Sequence, residues 1–258
     1  MDLLGFQIDQ FKVFALVLIR ITTFILMVPV FGSRMIPSVV KVSFAVMFAL
    51  ILTPLVKAPA TGLPDDPLRF GILAAGEIMV GMVCGFILFL VFIGVQLAGE
   101  IVDMQVGFGV ANVIHPGFET QVPLIGFFQF LLSTLFFLTL DGHLRMIELL
   151  AFSFDKVPVG GFRYDPALLA LISKSFGDMF GLAVRVAAPA LGALLLTMVS
   201  LGVIGRVVPQ INLLIVGFPL TIAVGLAMIA VSIEIFFVVL QGTFDRMWHD
   251  IVVVLDHM

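Results

Sequence analysis

The sequence predicts an all-α integral membrane protein with about six long hydrophobic helical segments, and two observations carry that expectation. The first is composition. Of 258 residues, 61% are hydrophobic and only 12% charged, with a mean hydropathy of +1.24. That is about half the charge of a typical soluble domain, and more apolar surface than one core can hide. The second is run length. A helix crossing hydrocarbon needs roughly 20 apolar residues, and the stretches Phe11 to Phe31, Ile36 to Val56, Phe70 to Ala98, Val122 to Leu140, Met179 to Gly205 and Ile211 to Leu240 meet that requirement.

In chain order, MDLLGFQIDQF lacks the basic flank of a secretory signal and carries Asp2 and Asp9, so the first run is expected to be retained. GSRMIP, bracketed by Pro29 and Pro37, joins the first two runs as a hairpin. KAPATGLPDDPLR, Lys57 to Arg69, is a loop by its prolines and aspartates. The third run is too long for roughly 30 Å of hydrocarbon unless it tilts or bends. Asp141 to Asp178 is mixed in character, and LRMIELLAFSF and DPALLALISKSF each read as a short amphipathic helix, with Pro158, Gly160 and Gly161 as the turn between them. RVVPQ separates the last two runs as a second hairpin. Pro209 donates no backbone hydrogen bond there and biases Val208 away from helix, so Arg206 to Asn212 is expected to form a fixed bend capped by Gln210 and Asn212. The excess of Lys and Arg puts both termini on the cytoplasmic side, although half of it lies in the long Asp141 to Asp178 segment, which contributes little to that rule.

Charges inside the apolar runs need partners. Arg20, Lys41, Glu77, Arg185 and Glu234 each fall within one. A charge at a helix centre costs roughly 2.5 to 3.5 kcal/mol against lipid, so these residues should face protein or water, pairing between helices or snorkelling from helix ends. Small residues four apart, Gly81 with Gly85, Gly94 with Ala98 and Gly177 with Gly181, share helix faces that let backbones approach closely. With 27 Phe and 13 Met against one Trp and one Tyr, the chain has little material for interfacial girdles and much for adaptable apolar contacts.

One interval stands apart from these runs. Gln96 to Pro123, QLAGEIVDMQVGFGVANVIHPGFETQVP, is polar and glycine-rich between two strongly apolar stretches. Gly107, Gly109, Pro116 and Gly117 interrupt its helical backbone. Broken backbone at membrane depth is tolerated only where it is buried in protein or lines a wet cavity, so the interval is read as a loop facing a channel or a subunit interface. The alternative is an ordinary solvated connection. Val106, Phe108, Val110, Val113, Ile114 and Phe118 supply an apolar closure, interleaved with Asn112 and His115.

Other classes find no support in the residues. The net charge of −4 provides no basic footprint for nucleic acid. There is no Walker A loop, HExxH or cysteine pair, and Gly107-Phe108-Gly109 is too short for a dinucleotide fingerprint. His115 and Glu119 have ligand spacing, but Pro116 and Gly117 lie between them. No enzyme and no cofactor is expected. A small-solute secondary transporter could use a broken helix with Arg20, Glu77 and Arg185 at the midplane, yet no internal repeat accompanies it.

Several motifs, in order, carry a resemblance: PVFGSRMIPSVVK, GEIMVGMVCGF, VQLAGEIVDMQVGFG with HPGFETQVP, Asp-Gly-His at 141–143 with SFDKVPVG, and RVVPQINLLIVGFPL, in which Arg206, Pro209, Gln210 and Asn212 precede Gly217 and Pro219. The chain resembles the FliR family of type III export-gate proteins, whose injectisome counterparts are called SctT; the Leu-Asp-Gly-His form looks flagellar. The resemblance implies a single membrane domain, with a FliP-like portion over 1–175 and a FliQ-like helical hairpin over 176–258. It implies assembly with FliP and FliQ, and with FlhB and FlhA, in the bacterial inner membrane at the flagellar basal body. It further implies passage of unfolded axial proteins and a pore plug at about Val106 to Gln121.

Overall fold

The computed structural model of the chain describes residues 3–32, 36–56, 63–108, 123–210 and 212–258, and among them every regular element is helical. In order these are α1 (Leu3–Met27), the single turn α2 (Pro29–Gly32), α3 (Ser38–Leu52) with a 3-10 turn at Thr53–Leu55, α4 (Pro67–Val106), α5 (Leu124–Thr139), α6 (Gly142–Lys156), α7 (Pro166–Val207), α8 (Leu213–Val231) and α9 (Ile233–Leu255). Four helices are long and apolar enough to cross a membrane, or up to six spans if each bent pair, α5 with α6 and α8 with α9, counts as one. Among the described residues, the upper of these counts equals the number of apolar runs.

Three boundaries differ from those expected of the sequence. Gln96 to Val106 is not loop but the last turns of the 40-residue α4. Its polar groups recur at helical spacing and are satisfied without breaking the backbone: Gln96 Nε2 donates to Glu100 Oε1 at 2.8 Å, and Asp103 bonds the start of α5. The helix expected over DPALLALISKSF does not stop, and it continues into the fifth apolar run to make the 42-residue α7. No proline or cap intervenes near Asp178 to end it. The sixth run, by contrast, breaks at Ser232 with a 56° bend. There Ser232 Oγ bonds back to the Ile229 carbonyl at 3.3 Å, a competition with the helix ladder that bends helices.

The chain forms two compact units, Met1–Leu90 with Phe137–Phe176 and Arg246–Met258, and Val91–Phe136 with Gly177–Asp245. In hydrocarbon no hydrophobic force drives helix on helix, so close packing and polar bonds hold each unit together. In the first unit α1 lies on α4 through the two glycines at 81 and 85. A Cβ at Gly81 would stand 2.5 Å from the Arg20 carbonyl oxygen, and one at Gly85 would stand 2.5 Å from Met27 Cβ. Leu16, Val17, Ile21 and Phe24 of α1 are buried, as are Val80, Cys84 and Leu88 of α4 and Leu149, Leu150 and Phe154 of α6. The expected close approach at Gly177 and Gly181 does not occur among the described residues, where both face open space.

The Asp-Gly-His motif has a steric origin. Asp141 adopts φ 54°, and a side chain on Gly142 would collide with the Phe137 ring, so α6 can begin here only with a residue tolerant of the left-handed region followed by glycine. Residues at 256–258 close the same unit. Lys156 pairs with Asp256 at 2.5 Å, His257 Nδ1 meets Asp165 Oδ2 at 2.8 Å, and Arg163 N–H donates to the Met258 carbonyl at 2.5 Å.

Asp165 responds to pH. The Ala167 backbone N–H, then His257, hold its carboxyl below its ordinary value of 3.8. A depressed folded-state value means that the carboxylate's stabilisation is present in full above that ordinary value and is lost as pH falls through the lower one. Acidification below about pH 4 should therefore loosen the residues around 256–258, read as faster hydrogen exchange at their amides. Asp165→Asn should show that loosening already at pH 7 and lose its acid dependence.

Candidate functional site

Buried charge in the first unit converges on Arg20 and Glu77, each 1% exposed. Arg20 Nε donates to Glu77 Oε2 at 2.5 Å. Its Nη1 donates to the carbonyls of Ser153 at 3.0 Å and Val157 at 2.9 Å, which belong to the last turn of α6 and its C-cap. The negative end of that helix therefore meets a cation. The Phe154 ring lies 4.1 Å beneath the guanidinium. Glu77 Oε1 accepts from the Gly160 N–H at 2.8 Å, where glycine permits φ 74°. The motif SFDKVPVG, Ser153 to Gly160, thus folds around the ion pair.

The second unit holds the two flanks of the glycine-rich connection. Asp103, 5% exposed near the end of α4, accepts hydrogen bonds from the Ile125 and Gly126 N–H groups at 3.0 to 3.1 Å. These are among the first amides of α5, which have no partner inside their own helix. Gly99 and Gly126 bring α4 and α5 into backbone contact, since a Cβ on Gly99 would stand 2.5 Å from Gly126 N. On the outgoing flank, Thr221 Oγ1 donates to the Val106 carbonyl at 2.9 Å. Gly107 follows with φ 97°, and a side chain there would meet the Phe218 ring at 2.5 Å. Gly225 leaves room for Val106 Cγ2 in the same manner. Ala98, Val102, Val106, Ile125, Ala187 and Leu194 form the apolar cluster around this clasp.

Of the residues singled out in the sequence, Arg20 and Glu77 are brought together, and Val106, Gly107 and Phe108 enter the clasp. Gly109, Val110, Asn112, Val113, Ile114, His115, Pro116, Gly117 and Phe118 lie outside the described residues. Arg185 and Glu234 are exposed. Arg206, in the last turn of α7, is exposed, as are Pro209 and Gln210 between α7 and α8, and the Asn212 carbonyl accepts from Ile215 and Val216 N–H at the start of α8. Lys41 Nζ donates to the Gly32 carbonyl at 3.0 Å. Sequence reading did not single out Asp103, Thr221 or Phe218 as site residues. Asp103 lies seven positions past Gln96 on one helix face, a signal of continued helix that the flanking glycines obscured.

Apolar helices of spanning length, internally paired charge and a connection clasped at both ends define the class: an all-α integral membrane protein. The family model for bacterial export proteins, family 1, matches residues 11–247, and the chain belongs to that family. It is 36% identical over 242 residues to flagellar biosynthetic protein FliR of Bacillus subtilis, covering 92% of each chain. The FliR of Escherichia coli matches at 30% over 213 residues, 83% of this chain and 81% of that one. The FliR of Aquifex aeolicus matches at 32% over 232 residues, 88% and 87% of the two chains.

Two outcomes test these clusters. Arg20→Leu should destabilise the first unit by about 3 to 5 kcal/mol, because Glu77 is left buried and unpaired. The double variant Arg20→Leu/Glu77→Leu should recover part of that loss, measured as denaturant resistance in detergent. Asp103→Ala removes the cap of α5, a loss of about 1 to 2 kcal/mol, and should speed proteolysis within 107–124 while leaving cleavage elsewhere unchanged.

Proposed function

We propose that this chain is a core subunit of the flagellar protein-export gate, forming part of the channel through which unfolded axial proteins cross the bacterial inner membrane at the flagellar basal body. Its family supports the coarser part of that reading. FliP and FliQ, with FlhB and FlhA, are the neighbours that the family resemblance implies. The division between a FliP-like portion over 1–175 and a FliQ-like hairpin over 176–258 is part of the same proposal.

The connection from Val106 to Gln121 acts in this reading as the pore plug. The observation that carries it is the clasp: Asp103 and Thr221, both buried, hold the two flanks of one connection. A solvated linker needs no such anchoring. Between fixed flanks, Val110, Val113, Ile114 and Phe118 provide an apolar closure that restricts ions by dewetting, while weak apolar contacts yield to a passing polypeptide. A small-solute transporter fits less well, because Arg20 and Glu77 bond each other and the end of α6.

Deleting Val110 to Phe118 should raise ion conductance through the assembled complex and slow growth, with assembly checked by co-purification. Wild-type conductance from an assembled deletion complex would return the connection to a plain linker. A photocrosslinker at Phe108 should capture an export substrate arrested in transit; capture of none, with export proceeding, would count against a lining role.

A further inference from the structure

The second unit contains polar groups that neither the clasp nor the ion pair uses. A narrow cleft of about 20 Å³ opens between α5, α7 and the break joining α8 to α9, and Gln129, Arg185 and Ser232 line it among apolar walls. Gln129 is 5% exposed, and its Oε1 accepts no hydrogen bond. Arg185 is exposed, and among the described residues nothing hydrogen-bonds or ion-pairs with it. Pro189, also in the wall, has no N–H, so the Arg185 carbonyl four residues earlier lacks its helix donor.

An acid stands near the cleft wall: Glu234, between Ile233 and Ile235 at the start of α9. Glu234 is exposed and no salt bridge joins it to Arg185 among the described residues. Among the described residues the cleft therefore keeps a cation with no charge partner beside an unfilled acceptor.

We propose that the Arg185–Gln129 cleft is the docking site for a membrane helix of a neighbouring subunit that presents a carboxylate. The guanidinium carries five N–H donors in a rigid fork. Two can engage a carboxylate side by side and a further one can reach Gln129 Oε1, which fills the orphan acceptor as the charge is neutralised. Gln129 Nε2 can donate to the same carboxylate. The rim explains why the anion comes from a helix rather than from a lipid headgroup. Val184, Val231, Ile235 and Val238, in the cleft wall or next in sequence to it, are 56% to 75% exposed. An apolar helix bearing one acidic group covers such a rim, whereas a hydrated headgroup leaves it bare. This inference rests on the export-gate reading only in taking other membrane subunits as neighbours.

The test uses the complex purified from membranes in detergent. With p-benzoylphenylalanine in place of Val239 in the cleft wall, irradiation should join the chain to a different membrane subunit, at a peptide carrying an Asp or Glu within an apolar stretch. Arg185→Glu should lower co-purification of that subunit by at least about tenfold, as for loss of a buried charge pair, and Arg185→Lys should retain most of it. Reversing the crosslinked partner's acid to Lys should restore Arg185→Glu. Adducts only to phospholipid, adducts only to a second copy of this chain, or wild-type assembly of Arg185→Glu would each overturn the proposal. Should Arg185→Glu fail to accumulate, the adduct formed in the wild-type background decides. An intact complex that passes no axial protein would sink the gate reading alone and leave the docking result standing.

Discussion

Burying an arginine and a glutamate together is costly in desolvation, and the gain repays it only when the geometry is good and the remaining donors and acceptors find partners. The first unit meets most of that condition, leaving among the pair's polar atoms only Arg20 Nη2 buried without a hydrogen bond among the described residues. Gly81 lets α4 come against the Arg20 backbone, so that Nε reaches Glu77 at 2.5 Å. The carbonyls at the end of α6 take the next guanidinium donor, and Gly160, free to adopt φ 74°, turns its N–H onto the second glutamate oxygen. Helices far apart in sequence are thereby fixed to one another at a point. Apolar packing alone selects registers weakly in hydrocarbon, where lipid competes on equal terms with side chains. A buried pair with directed bonds does not slide.

Polar chemistry does the same for the second unit, without an ion pair. Asp103 satisfies amides at the start of α5, Thr221 satisfies the carbonyl at the end of α4, and Gly99 against Gly126 sets the distance between the two helices. These bonds stand where helix ends would otherwise leave backbone groups unpaired in an apolar setting. The structural need to close two helix ends and the functional need to hold the flanks of a connection are met by the same few atoms.

Arg20 and Glu77 bond each other and backbone groups of their own unit, and Asp103 bonds backbone at the start of α5. Arg185 differs in having no charge partner among the described residues.

The sequence by itself determined the class, the long apolar runs and the identity of the charges that had to find partners, because cost in hydrocarbon depends on residue type and run length alone. It also marked SFDKVPVG and the Asp-Gly-His element, though not what either was for. Only tertiary structure decided that Ser153 to Gly160 wraps the Arg20–Glu77 pair, that Gln96 to Val106 is helix and that Gly81 and Gly85 face α1 while Gly177 and Gly181 face nothing among the described residues. The reason is common to all three. A polar or small residue on a helix looks the same in sequence whether it meets a partner or ends the helix, and the partners here lie up to 137 positions away. Spacing reports which face a residue occupies; what stands opposite that face is a property of the fold.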